Sequence, residues 1–214
     1  MKGITLAATL LLAVAVSARA EIHGAWVASK QDAKPGRIYM SMMRTHWGHQ
    51  GNTMKLADFA GLSDAQLASV TQVPVQFQLR RDAGTITFEG TFKNGDGAGQ
   101  FTFAPNGGYA NAVRAAGVEF NLRRNREPRP EEEDLFTLAM VDLSTAYIRS
   151  MQAEGYKETL DRYMKMRMFD VTPEFIHQLK DAGYSNVPAE KLIRLKIHGV
   201  DIDYINKMNA LTRH

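Results

Sequence analysis

The chain has 214 residues, with 26 Lys and Arg against 23 Asp and Glu, six His and no Cys, for a formal charge of +3 at pH 7. The missing cysteines exclude disulfides, thiol chemistry and a lipid-attachment cysteine, so stability comes from packing alone. The near balance of charge argues against nucleic-acid binding, and loss of Lys2 and Arg19 with an N-terminal signal would leave the remainder almost neutral.

Residues 1–20 read as that signal. Lys2 supplies a positive start, residues 4–16 are an apolar run, and Ala18-Arg19-Ala20 fits the A-x-A cleavage pattern. The run falls short of the roughly 20 apolar residues that span a bilayer, so cleavage is expected in place of an uncleaved anchor. A mature chain starting at Glu21 would then be periplasmic or secreted, with no integral membrane segment. Its length suits one large or two small domains.

From about residue 24 to 104 the pattern is β. Short runs at 25–28 and 37–42 are candidate strands, the second following the turn residues Lys34-Pro35-Gly36. Residues 53–56 alternate. Residues 73–79 alternate cleanly, with Val73, Val75, Phe77 and Leu79 on one face and Pro74, Gln76 and Gln78 on the other. Pro74 cannot donate to a ladder and belongs at a strand start or edge. A hairpin joins 85–92 to 99–103 around Asn94-Gly95-Asp96-Gly97, whose glycines supply the positive φ of a tight reversal. Gly90 predicts a bulge or a close backbone approach. With a turn at Asp82-Ala83-Gly84, residues 73–103 make a three-stranded meander. Residues 62–67 read as one or two helical turns capped by Ser63.

The remainder is helical and repeats. Tyr147, Phe175 and Tyr204 start equivalent segments 28 and 29 residues apart, and Tyr109 starts an earlier one, followed by an Arg- and Pro-rich insertion at 121–130. Each unit reads as helix, Gly turn, helix, sharp corner, and such units bury their apolar faces by stacking. Ser144, Thr172 and Asp201 are expected N-caps, Pro173 suits the first helical position, and Gly155 and Gly183 suit a left-handed C-terminal turn. In the last copy Thr212 holds the position of Gly183, so the series is expected to stop there. Glu131-Glu132-Glu133-Asp134 reads as the first turn of a helix, where the dipole favours carboxylates. The expected fold is therefore α+β: an antiparallel β domain over 21–105, then a helical repeat domain over 106–214.

Little in the chain carries chemistry. His46 and His49 approach metal-ligand spacing, but no third ligand lies nearby, and their surroundings, residues 44–52, read as a polar loop anchored by Trp47. Met164, Met166 and Met168 resemble copper-handling runs of soft ligands. They align with Ile193, Leu195 and Ile197, which favours core packing, with Met164 and Met168 on one face and Met166 pointing away. There is no His-Glu-x-x-His, Gly-x-Ser-x-Gly or phosphate-binding loop. His177 and His198 sit in repeat helices with no acid–base partner evident. Tyr156 and Tyr184 follow turn glycines and are expected to cap contacts between helices.

The helical pattern resembles a known one. The run 169–176 (Phe-Asp-Val-Thr-Pro-Glu-Phe-Ile), Gly183-Tyr184 and the run 192–200 are similar to repeats in the tails of bacterial membrane metallopeptidases of the β-lactam-sensor (antirepressor) class. Arg81–Thr85, Phe88-Glu89-Gly90, Gly97-Ala98-Gly99 and Phe101-Thr102-Phe103 are similar to segments beside those repeats. The resemblance spans about residues 24–211, but neither the transmembrane helices nor the zinc-protease motif is present. It implies a free-standing exported relative of the sensor tail and transfers no catalytic residue.

The expected function is a non-catalytic, exported interaction or sensor-accessory module of the bacterial envelope. It needs no cofactor or metal, and its partner is a protein or envelope component. His46, Trp47, His49, Arg123, Arg124, Arg126 and Arg129 are the candidate contacts. The alternative is a small-molecule or glycan-binding protein with a pocket lined by aromatics such as Trp26 or Trp47.

Overall fold

A computed structural model describes residues 20–30, 34–44, 48–122 and 130–212. All but Ala20 of the expected signal lies outside the described residues. Strands β1 (Ile22–Ser29), β2 (Arg37–Arg44), β3 (Gly48–Lys55), β4 (Phe59–Ala60), β5 (Val73–Arg81), β6 (Gly84–Lys93) and β7 (Asp96–Pro105) form one curled antiparallel sheet in the order β3-β2-β1-β7-β6-β5-β4. Helix α1 (Asp64–Ala68) sits between β4 and β5, and among the described residues seven helices follow the sheet: α2 (Tyr109–Ala115), α3 (Glu131–Met140), α4 (Thr145–Ala153), α5 (Leu160–Met168), α6 (Pro173–Asp181), α7 (Ala189–Ile197) and α8 (Ile202–Thr212).

The meander of β5, β6 and β7 follows the expected alternation. Val75, Phe77, Leu79, Ile86, Phe88, Phe92, Phe101 and Phe103 are buried on its inner face. The β6–β7 reversal is tighter than the four-residue link expected. Asn94 and Gly95 alone join the strands, both at positive φ (54° and 86°), the backbone of a type I′ turn. At Gly90 the register runs unbroken through Glu89↔Gln100 and Thr91↔Ala98, so there is no bulge. Gly90 instead faces Gly99, which faces Trp26 on β1. A Cβ on Gly90 would meet the Trp26 ring at 2.8 Å. Two glycines thus make a trough for the indole, whose Nε1 donates to the Glu89 carbonyl at 3.1 Å. Around it, Phe77 and Phe88 pack edge-on, with centroids at 5.5 and 6.1 Å.

Helix α3 lies against β6 and β7. Phe136 stacks on Phe101 at 5.6 Å and meets Phe103 edge-on at 5.3 Å. Glu133, in the acidic first turn, is buried against Arg44 of β2. Asp82, in the β5–β6 turn, accepts from the Thr145 amide and hydroxyl at 2.9 and 3.0 Å and so caps α4 from the sheet. The buried side chains form one cluster that runs from Trp26 through Phe136 to Ile205.

The helix ends explain the sharp corners. Ser144, Thr172 and Asp201 accept from the amides of Tyr147, Phe175 and Tyr204, as expected of N-caps, and Thr159 does the same for α5. Such caps stabilise by about 1 kcal/mol each. At the C-termini Asp142, Gly155, Asp170, Gly183 and Gly199 all take positive φ. The amides of Leu143, Tyr156, Val171, Tyr184 and Val200 reach back to Leu138, Met151, Met166, Leu179 and Leu195. These are Schellman ends, in which a left-handed residue satisfies carbonyls that the helix leaves free.

One helix face departs from expectation. Met164 and Met166 are both buried, whereas Met168 is half exposed. Helix α5 also packs on α7, and the burial of both Met164 and Met166 shows that more than one side of α5 is covered, so the single-face reading of the Met run is wrong.

Candidate functional site

Six of the seven candidate contact residues, His46, Trp47, Arg123, Arg124, Arg126 and Arg129, lie outside the described residues. His49 is described and corrects the expectation for its surroundings. It belongs to β3, paired with Met43, so residues 48–52 are strand and not loop. The end of the exposed Tyr39 side chain on β2 lies over Gly51, in the space a Cβ there would take. Trp26 is also not a pocket wall. It is fully buried in the aromatic core.

The structure instead gathers charge where the β2–β3 end of the sheet meets the helices. A cleft of about 360 Å³ is lined there by Arg37, Asn52, Lys55, Asp58, Arg81, Asp142, Arg167 and Asp170, together with Thr53, Met54, Met140, Val141 and Met168. Most of these charges hold one another. Arg81 Nη2 donates to Asp58 Oδ2 at 2.7 Å. Arg81 Nε lies 3.2 Å from Asp142 Oδ1, off the line of a hydrogen bond. Arg167 donates to Asp142 Oδ2 at 2.6 Å and to the Asp142 carbonyl at 3.0 Å. Asp170 lies 4.0 Å from both Arg167 and Lys196. Acid and base alternate from the sheet to α7. Asp142 and Asp170 point into this line because both occupy left-handed turns after α3 and α5.

Arg37 and Lys55 differ. They sit directly opposite each other in the β2–β3 register. Like charges placed so oppose pairing by about 0.2–1 kcal/mol. Among the described residues neither has a carboxylate within ion-pair distance, and Arg37 makes only a 3.4 Å contact to the Thr53 carbonyl. The lip of the cleft therefore carries two cations without an ion-pair partner among the described residues, while the floor's Asp58, Asp142 and Asp170 are met by Arg81, Arg167 and, from outside the lining, Lys196.

The perturbed ionisable groups lie elsewhere and hold the fold. Burial pushes the Tyr109 phenol far above its ordinary range, and Asp82 and Asp142 add to the effect. Burial does the same for Tyr147, opposed in part by Arg167. Both therefore stay protonated as donors, to the Leu143 and Val171 carbonyls at 2.6 and 2.7 Å. Tyr156 is likewise raised by burial and donates to the Val187 carbonyl at 2.7 Å. Tyr184, the other residue expected to cap contacts, reaches Asn209 at 2.9 Å. Glu154 is held below the usual carboxylate range by hydrogen bonds from Lys180 and His177 at 2.8 and 2.7 Å. His177 thus has an acidic partner after all, on the surface between α4 and α6.

Sequence reasoning missed the cleft residues. Asp142 and Asp170 each lie two residues before an expected N-cap, Ser144 and Thr172, but nothing showed that Arg81, some 60 residues earlier, would face one of them. Arg167 was hidden inside the Met run. Among the described residues no group of three His, Asp or Glu converges as a metal site would, and none of their helices is long and apolar enough to cross a membrane. No protein-family model, curated protein or solved structure matches this chain.

Proposed function

We propose that the chain is a non-catalytic, exported interaction module of the bacterial envelope, and that the positive lip of its cleft receives an anionic group of a partner protein. The observation that carries this reading is the Arg37–Lys55 pair. Two cations facing each other across a ladder destabilise the fold, and among the described residues neither has a carboxylate at ion-pair distance, so an anionic group of a partner would supply the counter-charge. The cleft floor supports binding over chemistry, because its carboxylates are engaged by Arg81 and Arg167. The cleft falls within the ~300–1,000 Å³ typical of small-molecule sites, but such sites are mostly apolar. Seven charged side chains line this one, which favours a charged polypeptide segment.

The helical half is read as copies of one stacked unit that scaffolds the cleft. Tyr109 and Tyr147 stand at equivalent positions, and each bonds the carbonyl just before the next N-cap. Arg167 and Lys196 lie over the rings of Tyr147 and Phe175 at 5.6 and 4.8 Å, again at equivalent positions. The signal-like pattern expected over residues 1–20 and the resemblance noted for the helical pattern support the envelope setting.

The test is affinity capture from envelope extract with the wild-type chain and with Arg37→Glu/Lys55→Glu. A protein enriched by the wild type, released by salt and lost with the charge reversal supports the reading. Equal capture by both, or no enrichment, refutes it.

A further inference from the structure

Strand β3 is the edge of the sheet next to that lip, and among the described residues no further strand pairs with it. Natural edges are blunted by shortness, proline, bulges or a covering element. The opposite edge, β4, is only two residues long. β3 is eight residues long, contains no proline, and keeps an unbroken register from Arg37↔Lys55 to Arg44↔Gly48. Its residues 48, 49, 51, 52 and 53 are exposed.

The direction of its free backbone groups follows from the ladder. Leu56 N donates to the Gly36 carbonyl at 2.9 Å, one step beyond the Arg37↔Lys55 pair. Hydrogen-bonded and non-hydrogen-bonded pairs alternate in an antiparallel ladder. The amides and carbonyls of His49, Gly51, Thr53 and Lys55 therefore point away from β2. The Thr53 carbonyl takes the 3.4 Å contact from Arg37; among the described residues no backbone bond reaches the others from outside the sheet.

We infer that β3 is a strand-addition site, whose occupant is an extended segment of a partner protein carrying Asp or Glu. Main-chain bonds to residues 49, 51 and 53 would supply affinity, and a carboxylate at the Lys55 end would meet Arg37 and Lys55. This rests on the proposed role of the lip and adds the partner's conformation. Charge decides the occupant: a second copy would bring the same basic strand, whereas an acidic segment neutralises the lip.

A displayed library of random octapeptides, panned against the full chain, provides the probe. Enriched peptides should carry Asp or Glu among β-branched and aromatic residues. A synthetic version, followed by fluorescence anisotropy, should lose at least tenfold in affinity when alternate backbone nitrogens are methylated in one register and little in the other. His49→Pro, which removes an outward amide without breaking the β2 ladder, should weaken binding by a similar factor, with circular dichroism confirming the fold. Arg37→Glu/Lys55→Glu should also cost at least tenfold and abolish the salt dependence. Binding that tolerates methylation in both registers but not charge reversal overturns strand addition and leaves the basic lip standing. No enrichment over a blank surface overturns both. Self-association that His49→Pro abolishes would replace the peptide with a second copy and overturn the inference.

Discussion

One of the contacts that join the sheet to the helices is a buried ion pair, which makes a sharp prediction. Arg44 and Glu133 are paired with less than a tenth of either side chain exposed, and the Arg44 guanidinium lies 4.4 Å from the Phe136 ring centre. Glu133→Ala leaves that cation buried without a counter-charge. Breaking a buried pair from one side costs about 3–5 kcal/mol, whereas replacing both partners with apolar residues of similar volume is close to neutral or stabilising. In a chain of this size each kcal/mol moves Tm by about 2–4 °C. Glu133→Ala should thus lower Tm by roughly 6–20 °C, and Arg44→Met/Glu133→Leu should restore most of the loss. Thermal unfolding followed by circular dichroism, with urea midpoints as a check, reads both. A single-variant loss below about 1 kcal/mol would show that aromatic packing alone holds α3. A double variant as unstable as the single one would refute the argument from buried charge.

Three further outcomes follow from the same structure. Lys55→Glu turns the opposed cations into an opposite-charge pair and should raise stability by about 0.2–1 kcal/mol while abolishing partner capture; a destabilised variant would contradict the reading of the lip. Gly99→Ala places a Cβ against the Glu89 carbonyl and 2.6 Å from Gly90 Cα. It should cost about 1–3 kcal/mol or more and disturb the near-ultraviolet signal of Trp26, whereas Gly155→Ala, in open space at φ +94°, should cost about 1–2 kcal/mol through backbone strain alone. Tyr109 and Tyr147 have folded-state pKa values above the ordinary 10.0. The stability they contribute is therefore complete below pH 10 and is lost as pH rises above it. An alkaline absorbance titration should show these phenols ionising only with unfolding; all seven tyrosines titrating near pH 10 with the fold intact would contradict this.

What the sequence made legible depended on whether a signal was local. The β5–β7 meander showed itself because one face is buried and the other wet, and the helix corners because Ser144, Thr172, Gly155 and Gly183 act on amides and carbonyls a few residues away. The first half of β3 escaped for the opposite reason. It belongs to a polar edge strand in which only Met54 is buried, so the alternation seen at 53–56 does not extend back over 48–52, where two glycines read as loop. Met166 was misplaced because periodicity assumes one covered face per helix, whereas α5 buries Met164 and Met166 alike. The cleft was invisible for a third reason. Charged residues carry no mark of their partners, and Arg81, Asp142 and Arg167 meet only once β5 and the ends of α3 and α5 are brought together by the fold.

The central claim is that the lip formed by Arg37 and Lys55, with the β3 edge beside it, contacts a partner protein. Photo-crosslinking in intact cells tests it most directly, with a light-activated residue placed at Thr53 beside the lip or at Gln76 on the outer face of β5. The account predicts a discrete adduct of the same partner from position 53 that disappears with Lys55→Glu, and none from position 76. Adducts of equal strength from both positions, or none from position 53, would contradict it.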